Sequence, residues 1–257
     1  MQCSIKHIKQ LQKQKFRNSY NQFVAEGIKT ISDIVSFGYK PVDLLYFDEG
    51  DNNIPKNLKK LGRNVPFSTL QKVSSLKTPP PILAVFEKFY NENEAINNTI
   101  FKKITNDYVL FLDDISDPGN FGTIIRTTDW MGFRNIVCTK NTVELYNSKV
   151  VQATMGAITN VRVYYLQDDT FFKLCKQDNI PIYGLDMNGE DINSIKFGTK
   201  GIFVIGSESN GLSTEIQSII TNKISIKPYK NDRITPNVSE SLNAAIACAI
   251  LCFKLRS

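Results

Sequence analysis

The chain has a single histidine, His7, in 257 residues, and its five cysteines (Cys3, Cys138, Cys175, Cys248 and Cys252) form no Cys-x2-Cys pair. An odd, scattered set of this kind excludes a disulfide framework and a zinc knuckle, and predicts a reduced, cytoplasmic protein that needs no metal. Long apolar runs are also lacking. The longest covers residues 244–253, ten residues between Asn243 and Lys254, whereas a bilayer span needs about 20. The first fifteen residues, MQCSIKHIKQLQKQK, hold neither an apolar core nor a small-residue cleavage site, so no secretory leader is expected. There is no Gly-x-Gly-x-x-Gly, which removes the dinucleotide fingerprint. Gly206 and Gly211 have the spacing of a phosphate-binding loop, but Leu212 and Ser213 follow them where Lys and Ser/Thr are required. A nucleoside triphosphate site is thereby excluded.

What is present is the balance of a globular protein: 42% hydrophobic and 22% charged residues, with 31 Lys+Arg against 25 Asp+Glu and a net charge of +6. The excess is uneven. Residues 1–98 carry 14 basic and 9 acidic side chains, while the remainder carries 17 and 16. Two readings stand side by side, a polyanion partner for the first part and a solvated basic helix face.

Organisation follows from pattern. Ile28, Ile31, Ile34 and Val35 fall at helical spacing before Gly38, and strand-like runs lie at 42–47 and 82–86, which together predict a small α/β domain over residues 1–95. The Asn-rich stretch that follows reads as a linker over residues 96–106. From 107 to 257, short apolar runs (YVLFL, NIVC, VRVYYL, IPIYGL, GIFVIG, KISI) alternate with helix-like stretches, among them 122–131 and 148–158, and the chain closes on a helix from about 239 to 255. Such alternation predicts an α/β fold with a parallel sheet covered on both faces, whose ligands bind beyond the carboxyl ends of the strands.

Three junctions carry unusual polar residues. After YVLFL comes DDISDPGNFGTIIR, where a Pro–Gly turn feeds a helix and brings Asn120 and Arg126 within reach of one site. After GIFVI comes GSESNGL, where Gly206 and Gly211 bracket Glu208. The last helix opens on Ser239-Glu-Ser241-Leu242-Asn243, for which a helix cap is the simplest explanation when taken alone.

Taken together, DDISDPGNFGTIIRTTDWMGF, LYNSKVVQATMGAI, FVIGSESNGLS and SLN resemble the catalytic domain of the TrmH/SpoU family of RNA ribose 2′-O-methyltransferases, of the SPOUT class. FVAEGIKTISDIV, with the residues around it from about 15 to 86, is similar to the ribosomal-protein-like substrate-binding domain that often precedes it. The resemblance implies a C-terminal domain with a trefoil knot, S-adenosylmethionine as cofactor, ribosomal or transfer RNA as substrate, and a homodimer. It implies Gly206, Ile226 and Leu242 at the cofactor, and Asn120, Arg126, Glu208, Ser241 and Asn243 as the catalytic constellation. In the family Arg126 is usually given the role of base, but a guanidinium loses its proton only above about pH 12. Gripping the substrate phosphate and balancing alkoxide charge suits Arg126 better, with Asn120 and Glu208 fixing its orientation.

The chain departs from the family between the strand at 223–226 and Ser-Leu-Asn, where IKPYKNDRITPNVSE replaces a short Gly-containing loop. Ile224 therefore competes with Ile226 for the cofactor contact, and Lys227, Lys230 and Arg233, bounded by Pro228 and Pro236, form either a basic lid over RNA or an insertion without function. The alternative to an enzyme is a catalytically silent RNA-binding scaffold of the same fold.

Overall fold

In chain order the elements are α1 (Ile5–Gln10), α2 (Gln14–Tyr20), β1 (Gln22–Glu26), α3 (Ile28–Ser36), β2 (Asp43–Tyr46), α4 (Lys56–Lys59), β3 (Arg63–Asn64), α5 (Phe67–Val73), β4 (Ile82–Glu87), α6 (Asn98–Ile104), β5 (Tyr108–Asp113), α7 (Pro118–Trp130), β6 (Asn135–Cys138), α8 (Ser148–Thr154), β7 (Arg162–Tyr165), α9 (Thr170–Gln177), β8 (Ile182–Asp191), β9 (Gly201–Gly206), α10 (Thr214–Gln217), β10 (Asn222–Ser225) and α11 (Ala244–Arg256). This computed structural model describes residues 2–49, 53–228 and 241–257. The contacts divide the chain into two units, Met1–Asn91 with Glu144–Thr159, and Glu92–Val143 with Asn160–Ser257.

The first unit holds a four-stranded mixed sheet in the order β1-β4-β2-β3. Ile8 of α1, Leu11 at its C-cap, and Leu70 and Val73 of α5 pack on Val24, Leu45, Leu83 and Val85 of the sheet, the odd–even alternation of a strand placing these on one face. Phe23 and Phe86 stack, and Tyr146 lies on Phe23 with ring centroids 4.8 Å apart. Residues 144–159 join this unit through α8, which packs on β1 and α3. The helix read over 148–158 stops at Thr154, because Met155 and Gly156 both take positive φ (49° and 91°). Arg17 and Glu144 form an ion pair whose side chains are only 5% and 9% exposed.

The second unit is built on a six-stranded sheet in the order β10-β8-β9-β5-β6-β7, every adjacent pair parallel. Val109, Leu110, Phe111 and Leu112 of central β5 are fully buried, as a strand covered on both faces requires. On one face Val109, Phe111, Ile202 and Val204 meet Phe101 and Ile104 of α6, Phe171 and Leu174 of α9 and Ile216 of α10. The other carries α7 and α11, in contact with one another, and α11 also reaches β9. Those two helices run in the same sense, since Asn243 bonds Asn120 at their starts and Arg256 Nε donates to Met131 O at their ends.

Two further boundaries differ from expectation. The linker read over 96–106 is largely helix α6, because Asn97 caps it by accepting from Thr99 and Ile100 N–H, and Phe101 and Ile104 enter the core. The last helix begins at Ala244 rather than near 239, with Asn243 as its N-cap. The knot expected of the final strands and helix involves residues 229–240, which lie outside the described residues. Among the described residues no helix is long and apolar enough to cross a membrane.

Candidate active site

Asp113 and Gly206 are register partners at the carboxyl ends of β5 and β9, so the loops that follow them emerge side by side. In the first, Asp117 caps α7 by accepting the Asn120 N–H at 2.7 Å, and Pro118 occupies the opening turn, where its missing N–H costs nothing. Asn120 thereby stands at the mouth of the helix. The second loop is pinched shut. Gly211 N–H donates to Ser207 O at 2.9 Å, Gly211 takes φ 66°, and a Cβ on Gly206 would lie 2.2 Å from the Gly211 carbonyl oxygen. Only glycine permits that approach, and the pinch projects Glu208 outward.

The third loop completes the site. Asn120 Nδ2 donates to Glu208 Oε1 at 2.5 Å, Asn243 Nδ2 donates to Asn120 Oδ1 at 2.9 Å and to Glu208 Oε1 at 3.2 Å, and the Ala244 N–H donates to the same Glu208 oxygen at 3.1 Å. Asn243 Oδ1 meanwhile accepts from Ala245 and Ile246 N–H. Asn243 is therefore at once the cap of α11 and a member of the polar cluster. Three residues separated by 88 and 35 positions form a closed triangle, seated where the start of a thirteen-residue helix favours a carboxylate.

The other expected residues lie outside that triangle. Arg126 is exposed and makes no hydrogen bond or ion pair among the described residues. It stands four residues before Trp130, on the outward stripe of α7, and neither Asn120 nor Glu208 bonds to it. Ser241 is exposed and Leu242 is 45% exposed, just before the cap. Ile226 is half-buried, whereas Ile224 is fully buried. Lys227 donates to the Met187 carbonyl at 3.0 Å, as does Ser225 Oγ at 3.2 Å, which joins the ends of β8 and β10. Lys230, Arg233 and Pro236 lie outside the described residues.

One participant escaped the sequence reading. Asp113 is 1% exposed, and its Oδ2 accepts the Ser213 N–H at 2.6 Å, fastening the first loop to the second. Burial pushes its carboxyl above the ordinary 3.8, and Asp114 and Glu215 add to the rise, against the Ser213 hydrogen bonds. The only sequence signal was an Asp-Asp pair directly after an apolar strand.

Residues 107–253 match the SpoU rRNA methylase family, and residues 3–84 match the MRM3-like substrate-binding domain. The chain belongs to the SpoU rRNA methylase family. It is 26% identical to the 23S rRNA (guanosine(2553)-2′-O)-methyltransferase RlmP of Bacillus subtilis, over 98% of this chain and 95% of that protein. A solved structure of a TrmH-family protein from Porphyromonas gingivalis superposes with a TM-score of 0.81 at 30% identity, over 100% of this chain and 98% of that one. The AdoMet-bound rRNA methyltransferase of Sinorhizobium meliloti shares the fold, with a TM-score of 0.79 at 24% identity, over 98% of this chain and 93% of that one.

Proposed function

We propose that this SpoU-family chain methylates a ribose 2′-hydroxyl in structured RNA, ribosomal or transfer, using S-adenosylmethionine, and that it works as a cytoplasmic homodimer. Residues 107–257 would carry the transfer and residues 1–95 would grip the RNA. The carrying observation is the closed Asn120–Glu208–Asn243 triangle at the carboxyl edge of a parallel sheet. The family membership and the B. subtilis relative, whose name states 2′-O-methylation of a guanosine in 23S rRNA, support the same chemistry.

S-adenosylmethionine supplies a methyl group already activated on a sulfonium. The residues present fit that group. Glu208 is exposed and its Oε2 has no partner among the described residues, which leaves a carboxylate oxygen to face a cation. Ile226 and Leu242 offer apolar surface for an adenine, and fully buried Ile224 offers none, which favours Ile226 of the two.

Reaction then needs alignment and a destination for one proton. Both side-chain amides of Asn120 and Asn243 are engaged, so they act as a fixed frame for Glu208. The free Oε2 of Glu208 is the acceptor at which the ribose hydroxyl proton can be held. Arg126, always charged and unengaged among the described residues, binds phosphate and balances the developing alkoxide. A catalytically silent scaffold would have no use for a frame that leaves one carboxylate oxygen free.

The homodimer is supported by an uncovered apolar face. Ile246, Ile250 and Phe253 recur along α11 at 52%, 38% and 66% exposure, and Trp130 on α7 is 86% exposed; apolar patches of this kind mark protein contacts. The purified chain, incubated with isotopically labelled S-adenosylmethionine and RNA from cells lacking it, should yield a labelled 2′-O-methylnucleoside after nuclease digestion. Label in a base, or none in any RNA, overturns the reading.

A further inference from the structure

A second concave site lies on the opposite face of the same sheet from α7 and α11. It is a cleft of about 730 Å³ at the carboxyl ends of β5, β6 and β7, closed below by α9 and α10. Its size is that of a small-molecule site. Phe172, Leu166 and Ile219, all partly exposed, give it an apolar wall, and Lys140, Lys173 and Lys176 stand among its lining.

The decisive group is Asp113. By strand alternation it points to the same face as Phe111, which also lines the cleft. Its Oδ2 is taken by the Ser213 N–H, but its Oδ1 is buried without a partner among the described residues. A buried acceptor left unmatched costs about 1–3 kcal/mol, so a ligand that brings a donor there gains what the free protein lacks. Asp114, by contrast, has both oxygens engaged, by the Thr139 hydroxyl at 2.6 Å and Asn141 Nδ2 at 3.2 Å. Lys140 is held by the Gln167 carbonyl and Lys173 by Asp169, whereas Lys176 has no ion pair among the described residues.

A flat apolar wall, one buried acceptor for an N–H and a free ammonium at the rim match the three parts of a nucleotide: base plane, base-edge donor and phosphate. We propose that this cleft is a nucleotide subsite, in which the base lies on Phe172 and donates to Asp113 Oδ1 while the phosphate meets Lys176. The source is either a nucleotide of the RNA flanking the one methylated, which rests on the function proposed above, or a free mononucleotide. Both present the same chemistry to the cleft.

The test uses the full chain without S-adenosylmethionine. Calorimetric titration with each of the four ribonucleoside 5′-monophosphates should show one site per chain for at least one of them. Asp113→Asn, which puts an amide N–H where the acceptor was, and Lys176→Ala, on the exposed rim, should each weaken that binding by roughly tenfold, the worth of one charge-assisted hydrogen bond. In Lys176→Ala, a matching rise in KM for RNA with kcat unchanged assigns the subsite to the RNA strand, and an unchanged KM assigns it to a free nucleotide. If no mononucleotide binds and KM is unmoved in Lys176→Ala, the subsite is refuted while methylation stands. If methylation is absent but a mononucleotide binds through Asp113 and Lys176, the subsite stands and the proposed reaction falls.

Discussion

Substituting Glu208 by Gln separates what the triangle does for the fold from what its charge does for the ligand. Glu208 Oε1 accepts from Asn120 Nδ2, Asn243 Nδ2 and the Ala244 N–H at 2.5, 3.2 and 3.1 Å, and the amide oxygen of Gln can accept the same three donors. The stability change should therefore stay within about 0.5 kcal/mol, as for a surface change that breaks no named interaction. The lost quantity is the negative charge at the free Oε2. Two unit charges about 4 Å apart interact by about 1 kcal/mol in water and about 4 kcal/mol at an effective dielectric of 20. Glu208 is exposed, so the lower figure applies, and about 1 kcal/mol is roughly a fivefold change in affinity. The assay is paired calorimetry with S-adenosylmethionine and S-adenosylhomocysteine, which differ by the methyl and the positive charge on sulfur. Glu208→Gln should weaken the first by roughly fivefold and the second hardly at all. Equal losses for both ligands would refute the electrostatic role. A large drop in melting temperature would refute the claim that Gln preserves the frame.

Three further outcomes follow from the packing. Arg17→Ala leaves Glu144 buried without its partner, since the pair is 5% and 9% exposed; chemical denaturation should show a loss of about 3–5 kcal/mol, and a change under 1 kcal/mol would mean that the pair is solvated. Phe253→Glu places a charge in the exposed apolar stripe of α11, and light scattering should then report a 29.1 kDa monomer in place of the proposed dimer, whereas a parent that is itself monomeric would refute the dimer. The raised carboxyl of Asp113 binds its proton more tightly in the folded chain than the ordinary 3.8 allows. Its contribution to stability is thus greatest below that value and is lost as pH rises through the folded pKa. In the difference between parent and Asp113→Asn unfolding free energies, the parent should lose ground as pH climbs from about 4, and a flat difference would show that burial does not disfavour the charge.

The sheet of the second unit was legible because its central strands are buried on both faces. YVLFL and GIFVIG are continuous apolar runs, a pattern that a half-exposed strand does not show. Helix α6 was not legible, because the Asn residues that suggested a linker include Asn97, whose side chain starts the helix. Only tertiary burial of Phe101 and Ile104 distinguishes such a cap from a loop. The packing of residues 144–159 was equally hidden. Nothing local to Tyr146 announces that its ring meets Phe23, a contact spanning more than a hundred residues of chain.

The candidate site shows the same division at finer grain. The family resemblance named Asn120, Glu208 and Asn243 together, yet it could not say that they bond to one another. That closure depends on the Asp113–Gly206 register and on the pinch at Gly206 and Gly211, both properties of the folded sheet. Arg126 stays outside the hydrogen-bonded cluster of Asn120 for a geometric reason. Six residues at about 100° each leave two side chains about 120° apart around a helix, so on continuous α7 the two leave the backbone in different directions. Arg126 instead shares its stripe with Trp130, the most exposed large hydrophobic side chain among the described residues. The positioning frame and the charged arm therefore belong to different faces of α7. The frame is fixed by its own hydrogen bonds, and the arm adjoins the surface that a second copy of the chain would cover. If a second copy of the chain covers Trp130, it also sets the freedom of Arg126, and assembly would then bear on the proposed transfer.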